Sequence, residues 1–232
     1  MSQEKLITDI AQQVLTAPAD GAKSNSWLWD RAKRLLRIVS IICDLPELTV
    51  PDLPIDRLAL NGAVYFCHAA LAESEGSKNR KTKDSPEPNR LDSTKISARI
   101  AAEKLHGQLS EQKINKISGI ILESGNKLTN LNEAKILSDA QNLDDMGIVG
   151  IFSLLRNSSL RGKGPLDVLR SWKKKIDYGY FQARLNESFH FESVKGIAEK
   201  RFEHTETFMS RLQDECSAKD ILETIENMFS RT

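Results

Sequence analysis

The sequence contains few of the residues that build the most easily recognised functional sites. Its 232 residues include three cysteines and four histidines, and only 6% are aromatic. Cys43, Cys67 and Cys216 are odd in number and have no Cys-x-x-Cys spacing. This usage disfavours a disulfide framework or a zinc ribbon, and it is typical of proteins from a reducing compartment.

Neither sign of charge dominates, and no hydrophobic run is long. The chain has 33 basic and 32 acidic side chains, a net charge of +1, so no overall field favours a nucleic acid or an anionic membrane as a partner. The longest apolar run, 147–155, is far shorter than the roughly 20 residues of a transmembrane helix. Residues 1–20 lack the apolar centre of a signal peptide. We therefore expect a cytoplasmic protein with neither a nucleic-acid partner nor a membrane partner.

Alternating strand patterns bounded by hairpin turns are missing, whereas helical periodicity is present almost throughout. The fraction of hydrophobic residues is 40% and that of charged residues 28%, as in ordinary globular proteins. The sequence predicts an all-α multi-helix bundle that forms a single domain, 1–232. An accessory N-terminal helix, 2–16, has Leu6, Ile7, Ile10 and Val14 on one side, with which it could dock on its own core or on another subunit; we expect its own core.

Turn and capping signals divide the first half of the chain. One amphipathic helix follows Ser24-Asn25-Ser26, which can supply its N-cap, and ends at Asp44-Leu45-Pro46. A second, apolar on nearly every face, begins near Pro54 and runs to about Leu71. The polar segment 74–92 is a predicted flexible loop, because its basic residues have no interleaved aromatic residue for base stacking. Helices are expected again over 93–106 and from Ser110.

The second half also has helical spacing throughout. Ile114, Ile117 and Ile121 mark the buried side of the helix that starts at Ser110, and a turn at 126–130 precedes the next helix. Gly147 and Gly150 are expected to allow close packing, and 161–165 is a turn. Three late helices are predicted. The first is lined by Leu169, Trp172, Ile176 and Tyr180, and the second by Val194, Ala198, Phe202, Thr205, Met209 and Leu212. The third begins after an N-cap at Ser217 with Asp220 and is lined by Ile221, Leu222, Ile225 and Met228.

One carboxylate lies on a predicted buried face. Ile136, Asp139, Ala140 and Leu143 follow the spacing i, i+3, i+4, i+7, so the acid lies in an apolar stripe if the segment is helical. A buried carboxylate requires a metal ion, a cation or several hydrogen-bond donors, because burial without them costs several kcal/mol or protonates the group. The function therefore depends on the partner of Asp139.

Three segments occur in the order seen in a known enzyme class. They are Trp29-Asp30-Arg31-Ala32-Lys33-Arg34-Leu35, Ala63-Val64-Tyr65-Phe66-Cys67-His68-Ala69-Ala70 and Glu133-Ala134-Lys135-Ile136-Leu137-Ser138-Asp139-Ala140-Gln141-Asn142-Leu143-Asp144. Together with 172–212, they resemble bacterial members of the HD superfamily of metal-dependent phosphohydrolases. The resemblance implies an HD-type helical domain. It also implies a site with one or two divalent cations (Mn, Mg, Fe or Zn) that activate water against a phosphate ester.

The resemblance implies metal ligands at positions where this chain keeps only one. Asp139 matches the late aspartate of the family, but the early histidine falls at Arg31. The adjacent His-Asp pair falls at Cys67-His68, or at Phe66-Cys67 after a slip of one residue. Arginine has no lone pair for a metal and is always charged, so Arg31 would repel a cation and could pair with Asp139 instead. No cofactor is therefore expected.

Three functional hypotheses follow. The first is a catalytically degenerate HD-domain protein, a pseudoenzyme with a structural, regulatory or interaction role and an unknown protein partner. The second is a phosphohydrolase for nucleotides or phosphomonoesters with a divalent metal in a rebuilt site. The third is a module that binds a small phosphorylated ligand or nucleotide. The rebuilt site would use Asp139, His68 or Cys67 with Asp144 or Asp145, and the binding module would use Arg31, Arg34 and Lys135.

The remaining candidate residues have simpler interpretations. Cys67 and His68 can serve as a small buried hydrophobe and a hydrogen-bonded core histidine, because adjacent helical residues point about 100° apart and usually only one faces a site. His106, His190 and His204 have no ligand spacing. Lys173, Lys174 and Lys175 are expected to form a solvated face.

Overall fold

The structure, a computed structural model, describes residues 2–16, 26–49, 55–76 and 90–229. These residues form α-helices and one 3₁₀ turn, Pro46–Leu48, without any strand, so the all-α prediction is confirmed. None of the described helices combines the length and apolar character that crossing a bilayer demands. The helices are α1 (Gln3–Thr16), α2 (Trp27–Cys43), α3 (Arg57–Phe66), α4 (Ala69–Gly76), α5 (Arg90–Leu105), α6 (Glu111–Glu123), α7 (Asn132–Asp144), α8 (Gly147–Leu160), α9 (Pro165–Asp177), α10 (Tyr180–Glu187), α11 (Glu192–Cys216) and α12 (Lys219–Phe229).

Backbone contacts divide the chain into two units, Met1–Gln141 and Asn142–Thr232. In the first unit, α6 packs against α3 and α5, and α1 packs against α2, α3, α4 and α5. The prediction that α1 docks on its own core is therefore confirmed, although the residues it buries are Ile7, Ala11 and Leu15. The single domain 1–232 stays a prediction.

The first unit has an apolar core. Ile114, Ile117 and Ile121 are buried as predicted, together with Ile120. Phe66, Leu35, Leu60 and Leu105 are fully buried from the neighbouring helices. Because each of these helices has its own apolar stripe, burial of the stripes against one another accounts for the packing of the unit.

Helix ends agree with the sequence signals in part. Helix α2 ends directly before Asp44-Leu45-Pro46, and the Ser110 hydroxyl oxygen accepts a hydrogen bond from the Lys113 N–H at the start of α6, at 3.4 Å. Ser26 occupies the N-cap position of α2, but its hydroxyl donates to the Asp30 carboxylate at 3.2 Å instead of capping the helix. Ser24, Asn25, Pro54 and residues 77–89 of the predicted loop lie outside the described residues.

In the second unit, Ile151, Val168 and Met209 form a buried cluster, with Trp172 packed beside it. Helix α11 buries Val194, Ala198, Thr205 and Met209 as predicted. The prediction for α9 is wrong at its end: Ile176 is exposed and Tyr180 is the exposed first residue of α10. The chain turns between the two helices at Gly179, whose φ of +64° is strained for other residues.

Close packing at the two glycines of α8 is confirmed. A Cβ at Gly150 would overlap the backbone carbonyl of Asp145, and one at Gly147 would lie 3.2 Å from the Cβ of Arg201. The predicted terminal helix is present as α12, but the predictions of its N-cap and of its buried residues are wrong. The hydroxyl of Ser217 donates to the carbonyls of Gln213 and Asp214 at the end of α11 and does not cap α12, and the residues expected to line this helix are all exposed: Ile221, Leu222, Ile225 and Met228.

Candidate functional site

The candidate residues of the first unit lie on α2, on α7 and between α3 and α4. Asp139 is fully buried, together with Ile136 and Ala140, so the predicted burial of this carboxylate is confirmed. Arg31 is buried too, with 8% of its surface exposed. Arg34 and Lys135 are half-buried. The pairing of Arg31 with Asp139 stays a prediction.

The helix expected to run from near Pro54 to Leu71 is interrupted at Cys67 and His68. Helix α3 ends at Phe66 and α4 begins at Ala69. The N–H of Cys67 still donates to the carbonyl of Ala63 at 2.8 Å, whereas the N–H of Leu71 donates to the carbonyl of His68 at 3.0 Å. The two residues at the expected metal positions therefore lie in a turn between two helices.

A buried serine from α5 holds this interruption. The Ser97 hydroxyl oxygen accepts the N–H of Ala70 at 3.1 Å, and the hydroxyl donates to the carbonyl of Cys67 at 3.2 Å. Backbone groups at helix ends lack intrahelical partners, and Ser97 supplies one to each of these two groups. No local pattern predicts this contact, because Ser97 lies 27 residues after Ala70.

The interruption brings Cys67 and His68 side by side. The Cys67 Sγ lies 2.8 Å from the His68 Nδ1 and 3.2 Å from the carbonyl oxygen of Val64. The expectation that only one of the two side chains faces a given site stays a prediction. The thiol has one hydrogen, so it can donate to the carbonyl or to the imidazole, and Cys67 remains a buried side chain as expected.

The side chains at these positions differ from the ligands that the resemblance implies. Within the described ranges, no group of three or more histidine, cysteine, aspartate or glutamate side chains could hold a metal ion. Arg31 occupies one of the positions that the resemblance assigns to ligands, and its guanidinium has no lone pair to donate to a metal. A hydrolytic zinc site, for comparison, uses three protein ligands and an open position.

A second buried carboxylate, not predicted from the sequence, lies at the start of α7. Glu133 is 2% exposed. Its Oε1 accepts the N–H of Asp56 at 2.9 Å and lies 2.8 Å from the Lys116 Nζ. The contact joins the first turn of α7 to α6 and to the residue before α3. Glu133 belongs to the motif with Asp139, but its partners are distant in sequence and gave no signal.

Asp56 continues this network. Its carboxylate accepts the N–H of Ala59 at 2.9 Å as the N-cap of α3, and it forms an ion pair with Lys113. Burial acts to raise the pKa of Asp56, but the hydrogen bonds from Lys113 and from the Ala59 N–H outweigh it and lower the pKa. The sequence does carry a signal for this N-cap, because Asp56 lies directly before an apolar helical run.

Asp145, in the second unit, forms an ion pair with Arg184. Arg184 lies 3.3 Å from the Asp145 carboxylate and donates to the Asn142 Oδ1 at 3.1 Å. Asn142 in turn donates to the carbonyl of Ser188 at 2.8 Å. Asp144 is buried. Asp145, considered above for a rebuilt hydrolytic site, is therefore engaged in an ion pair of its own unit.

The remaining histidines differ in their exposure. His106 is exposed and lies 3.2 Å from Glu111. His204 is also exposed, and His190 is half-buried. Lys173 and Lys174 are exposed and Lys175 is half-buried, with the Nζ of Lys175 5.1 Å from the centre of the Tyr180 ring.

Comparisons with known proteins identify the fold. No family model and no curated protein sequence matches the chain. The Bacillus subtilis protein YpgQ, in its crystal structure with ADP, superposes with a TM-score of 0.56 at 17% identity over 92% of this chain and 94% of its own. Another YpgQ structure gives a TM-score of 0.58 at 16% identity, with coverage of 92% and 95%. The Lin1889 protein of Listeria innocua gives 0.56 at 17%, with 94% and 98%. The likeness shows the helical fold alone.

Proposed function

We propose that this chain is a catalytically degenerate protein of the HD type, which keeps the helices of a phosphohydrolase and works by interaction instead of hydrolysis. The observation that carries the proposal is the buried Arg31 on α2. The resemblance places a metal-binding histidine at this position, and arginine can neither ligate a metal nor lose its charge.

The other former ligand positions support the same proposal. Cys67 and His68 contact each other between α3 and α4, where the resemblance implies an adjacent His-Asp pair. Asp139 is the one ligand retained, and it is fully buried. An ion pair between a buried carboxylate and a guanidinium can hold helices together without a metal, because each charge compensates the desolvation of the other.

Metal content and phosphoesterase activity test this proposal together. Protein purified without chelator is analysed for divalent metals and assayed against generic phosphoesters with added manganese, magnesium or iron. We expect far less than one ion per chain and no turnover. Stoichiometric metal with turnover that Asp139→Ala abolishes and that Asp44→Ala, at an exposed aspartate, retains would overturn the proposal and support the rebuilt phosphohydrolase.

A second candidate function is the binding of a nucleotide or other phosphorylated ligand. The observation that favours it is that YpgQ, which shares this fold, was crystallised with ADP. In this chain, Arg31 and Arg34 lie one turn apart on α2, and Lys135 lies one turn before Asp139 on α7. Guanidinium groups suit phosphate oxygens because they can donate two parallel hydrogen bonds.

Thermal unfolding with added ADP tests this candidate. A ligand at 100 times its Kd stabilises the native state by about 2.7 kcal/mol, which raises the Tm of a chain of this size by about 5–11 °C. We expect Arg34→Ala and Lys135→Ala to reduce the shift. Arg37→Ala is the matched control, since Arg37 is exposed on the same helix. The absence of a shift in the wild-type protein would exclude ADP as the ligand.

A further inference from the structure

A cavity lies between three helices of the first unit, α1, α2 and α3. These helices pack against one another, and the cavity between them has a volume of about 190 Å³. Its floor is apolar and buried, and it is formed by Val39, Cys43 and Leu60. Its rim is polar and comes from α1 and α3, through Glu4, Arg57 and Asn61. An apolar cavity with a few polar groups is typical of binding sites for small molecules.

The cavity is separate from the residues around Asp139. On α2, the residues that line it point about 130° away from Arg31, at 100° per residue. Helix α1 closes one side of the cavity, where the Thr8 Oγ1 lies 3.2 Å from the Tyr65 hydroxyl oxygen. Because Glu4 lies one turn before Thr8 on the same face of α1, this contact holds Glu4 beside the cavity.

The rim carries charges of both signs. Arg57 and Asn61 lie one turn apart on the same face of α3, and the Asn61 Nδ2 lies 3.5 Å from the Glu4 Oε1. The Arg57 Nη2 lies 2.8 Å from the carboxylate of Asp44, which directly follows α2. A guanidinium has five N–H donors, so Arg57 can bind a second carboxylate while it contacts Asp44. The rim therefore offers one carboxylate and one guanidinium to a single ligand.

The floor and the size of the cavity restrict the rest of the ligand. Burial raises the pKa of the Cys43 thiol and outweighs the nearby Arg57 guanidinium, which acts to lower it. The thiol is therefore neutral at neutral pH, and the floor favours an apolar group. A volume of about 190 Å³ holds about six waters at about 30 Å³ each. Pockets for drug-sized ligands measure about 300–1,000 Å³, so a nucleotide such as ADP is too large.

We propose that this cavity binds a free amino acid with an aliphatic side chain, such as leucine. The ammonium group of the ligand contacts Glu4, its carboxylate contacts Arg57, and its side chain lies on the apolar floor. A ligand with one charge would leave one of these two rim groups unmatched. The proposal goes beyond the proposed function, because it involves neither Arg31 nor Asp139. Amino-acid binding, metal content and the ADP shift are separate measurements, so the failure of each proposal is distinguishable.

Calorimetric titration of the intact protein with leucine, isoleucine and valine tests the proposal. We expect at least one of them to bind at one site per chain. Glu4→Gln and Arg57→Gln should each weaken binding about tenfold or more, because each removes a hydrogen bond between charged groups. The matched controls Glu47→Gln and Arg37→Gln, at exposed residues outside the cavity, should bind like the wild type. Glu4 and Arg57 are exposed too, so the variants should fold. The absence of binding by all three amino acids up to about 10 mM would overturn the proposal.

Two analogues of leucine assign each charge of the ligand to its partner. Leucinamide has no carboxylate and N-acetylleucine has no ammonium group, so each should bind the wild-type protein about tenfold or more weakly than leucine. Glu4→Gln should further weaken leucinamide but not N-acetylleucine, and Arg57→Gln should do the reverse. If both analogues bind as tightly as leucine, the rim charges do not recognise the ligand and the proposal is wrong.

Discussion

Asp56 shows how one residue can stabilise three elements. It caps α3, it pairs with Lys113 on α6, and its N–H binds Glu133 of α7. A hydrogen bond to a charged group contributes about 1.5–3 kcal/mol, whereas exposed ion pairs contribute about 0–1 kcal/mol. The partly buried network around Asp56 should therefore matter more for stability than the surface pairs of the chain.

The charge of Asp56 gives the first prediction. Asn is also a good N-cap, so Asp56→Asn removes mainly the pair with Lys113, and we expect a loss of about 1–2 kcal/mol in the free energy of unfolding at neutral pH. Asp44→Asn, which breaks the exposed pair with Arg57, should cost less. Urea unfolding measures both losses, and equal losses would contradict the prediction.

The advantage of Asp56 over Asn should also depend on pH. The pKa of Asp56 is lowered on folding from its ordinary value of 3.8, so the unfolded chain binds this proton more readily. The stabilisation is thus fully present above the unfolded pKa and is lost as pH falls through the lower folded pKa. A difference between wild type and Asp56→Asn that grows in acid would contradict this assignment.

At the scale of elements, the junction of α3 and α4 depends on a third helix. Ser97 on α5 binds backbone groups on both sides of the interruption, and a buried polar group left without a partner costs about 1–3 kcal/mol. We expect Ser97→Ala to reduce stability by this amount. Ser153→Ala is the control, because the Ser153 hydroxyl only binds the carbonyl of Val149 within its own helix. A loss no larger than in the control would contradict the role of Ser97.

The glycines of two helices give opposite predictions for the same substitution. Gly150→Ala places a Cβ on the carbonyl of Asp145, which cannot move without the backbone, and overpacking costs about 1–3 kcal/mol. A Cβ at Gly119 on α6 meets nothing within 4 Å, so Gly119→Ala should stabilise the protein by about 0.4–1 kcal/mol. Thermal unfolding measures both changes, and the same sign for the two would contradict the packing at Gly150.

Helix ends that adjacent residues determine could be predicted from the sequence, whereas those that depend on a distant helix could not. The end of α2 at Asp44-Leu45-Pro46 and the start of α6 after Ser110 could be predicted, because proline and the N-cap act on adjacent residues. The interruption at Cys67 could not be, because it is held by Ser97 from a distant helix. Periodicity correctly gave α12 an apolar face, but it does not specify what, if anything, covers that face.

The residues of the candidate site also divide into those that local sequence signals predict and those that depend on distant parts of the chain. The burial of Asp139 could be predicted from the spacing of Ile136 and Ala140, since a helical stripe is a local property. The contact of Cys67 with His68 was not predicted, because an unbroken helix was expected over both residues. The role of Glu133 was missed because Lys116 and Asp56 come from other elements.

At the scale of the whole molecule, the two units should differ in their response to core substitutions. Met209 is 1% exposed and packs with Ile151 and Val168, all in the second unit, and its truncation to alanine costs about 2–5 kcal/mol. We expect Met209→Ala to reduce hydrogen-exchange protection in α8, α9 and α11 but not in α6. Leu60→Ala, in the core of the first unit, should have the reverse effect. Equal losses across both units would indicate a single cooperative domain, as the sequence predicts.

Glu133 contacts both Lys116 and the Asp56 N–H, and these two contacts fix the rotation of α7 about its own axis. Any rotation of this helix that redirected Asp139 would also withdraw Glu133 from Lys116 and from the Asp56 N–H. The contacts of Glu133 therefore also help to hold the direction of Asp139. In such an architecture, the residues around the aspartate can be exchanged over evolutionary time while the helix that carries it keeps its orientation.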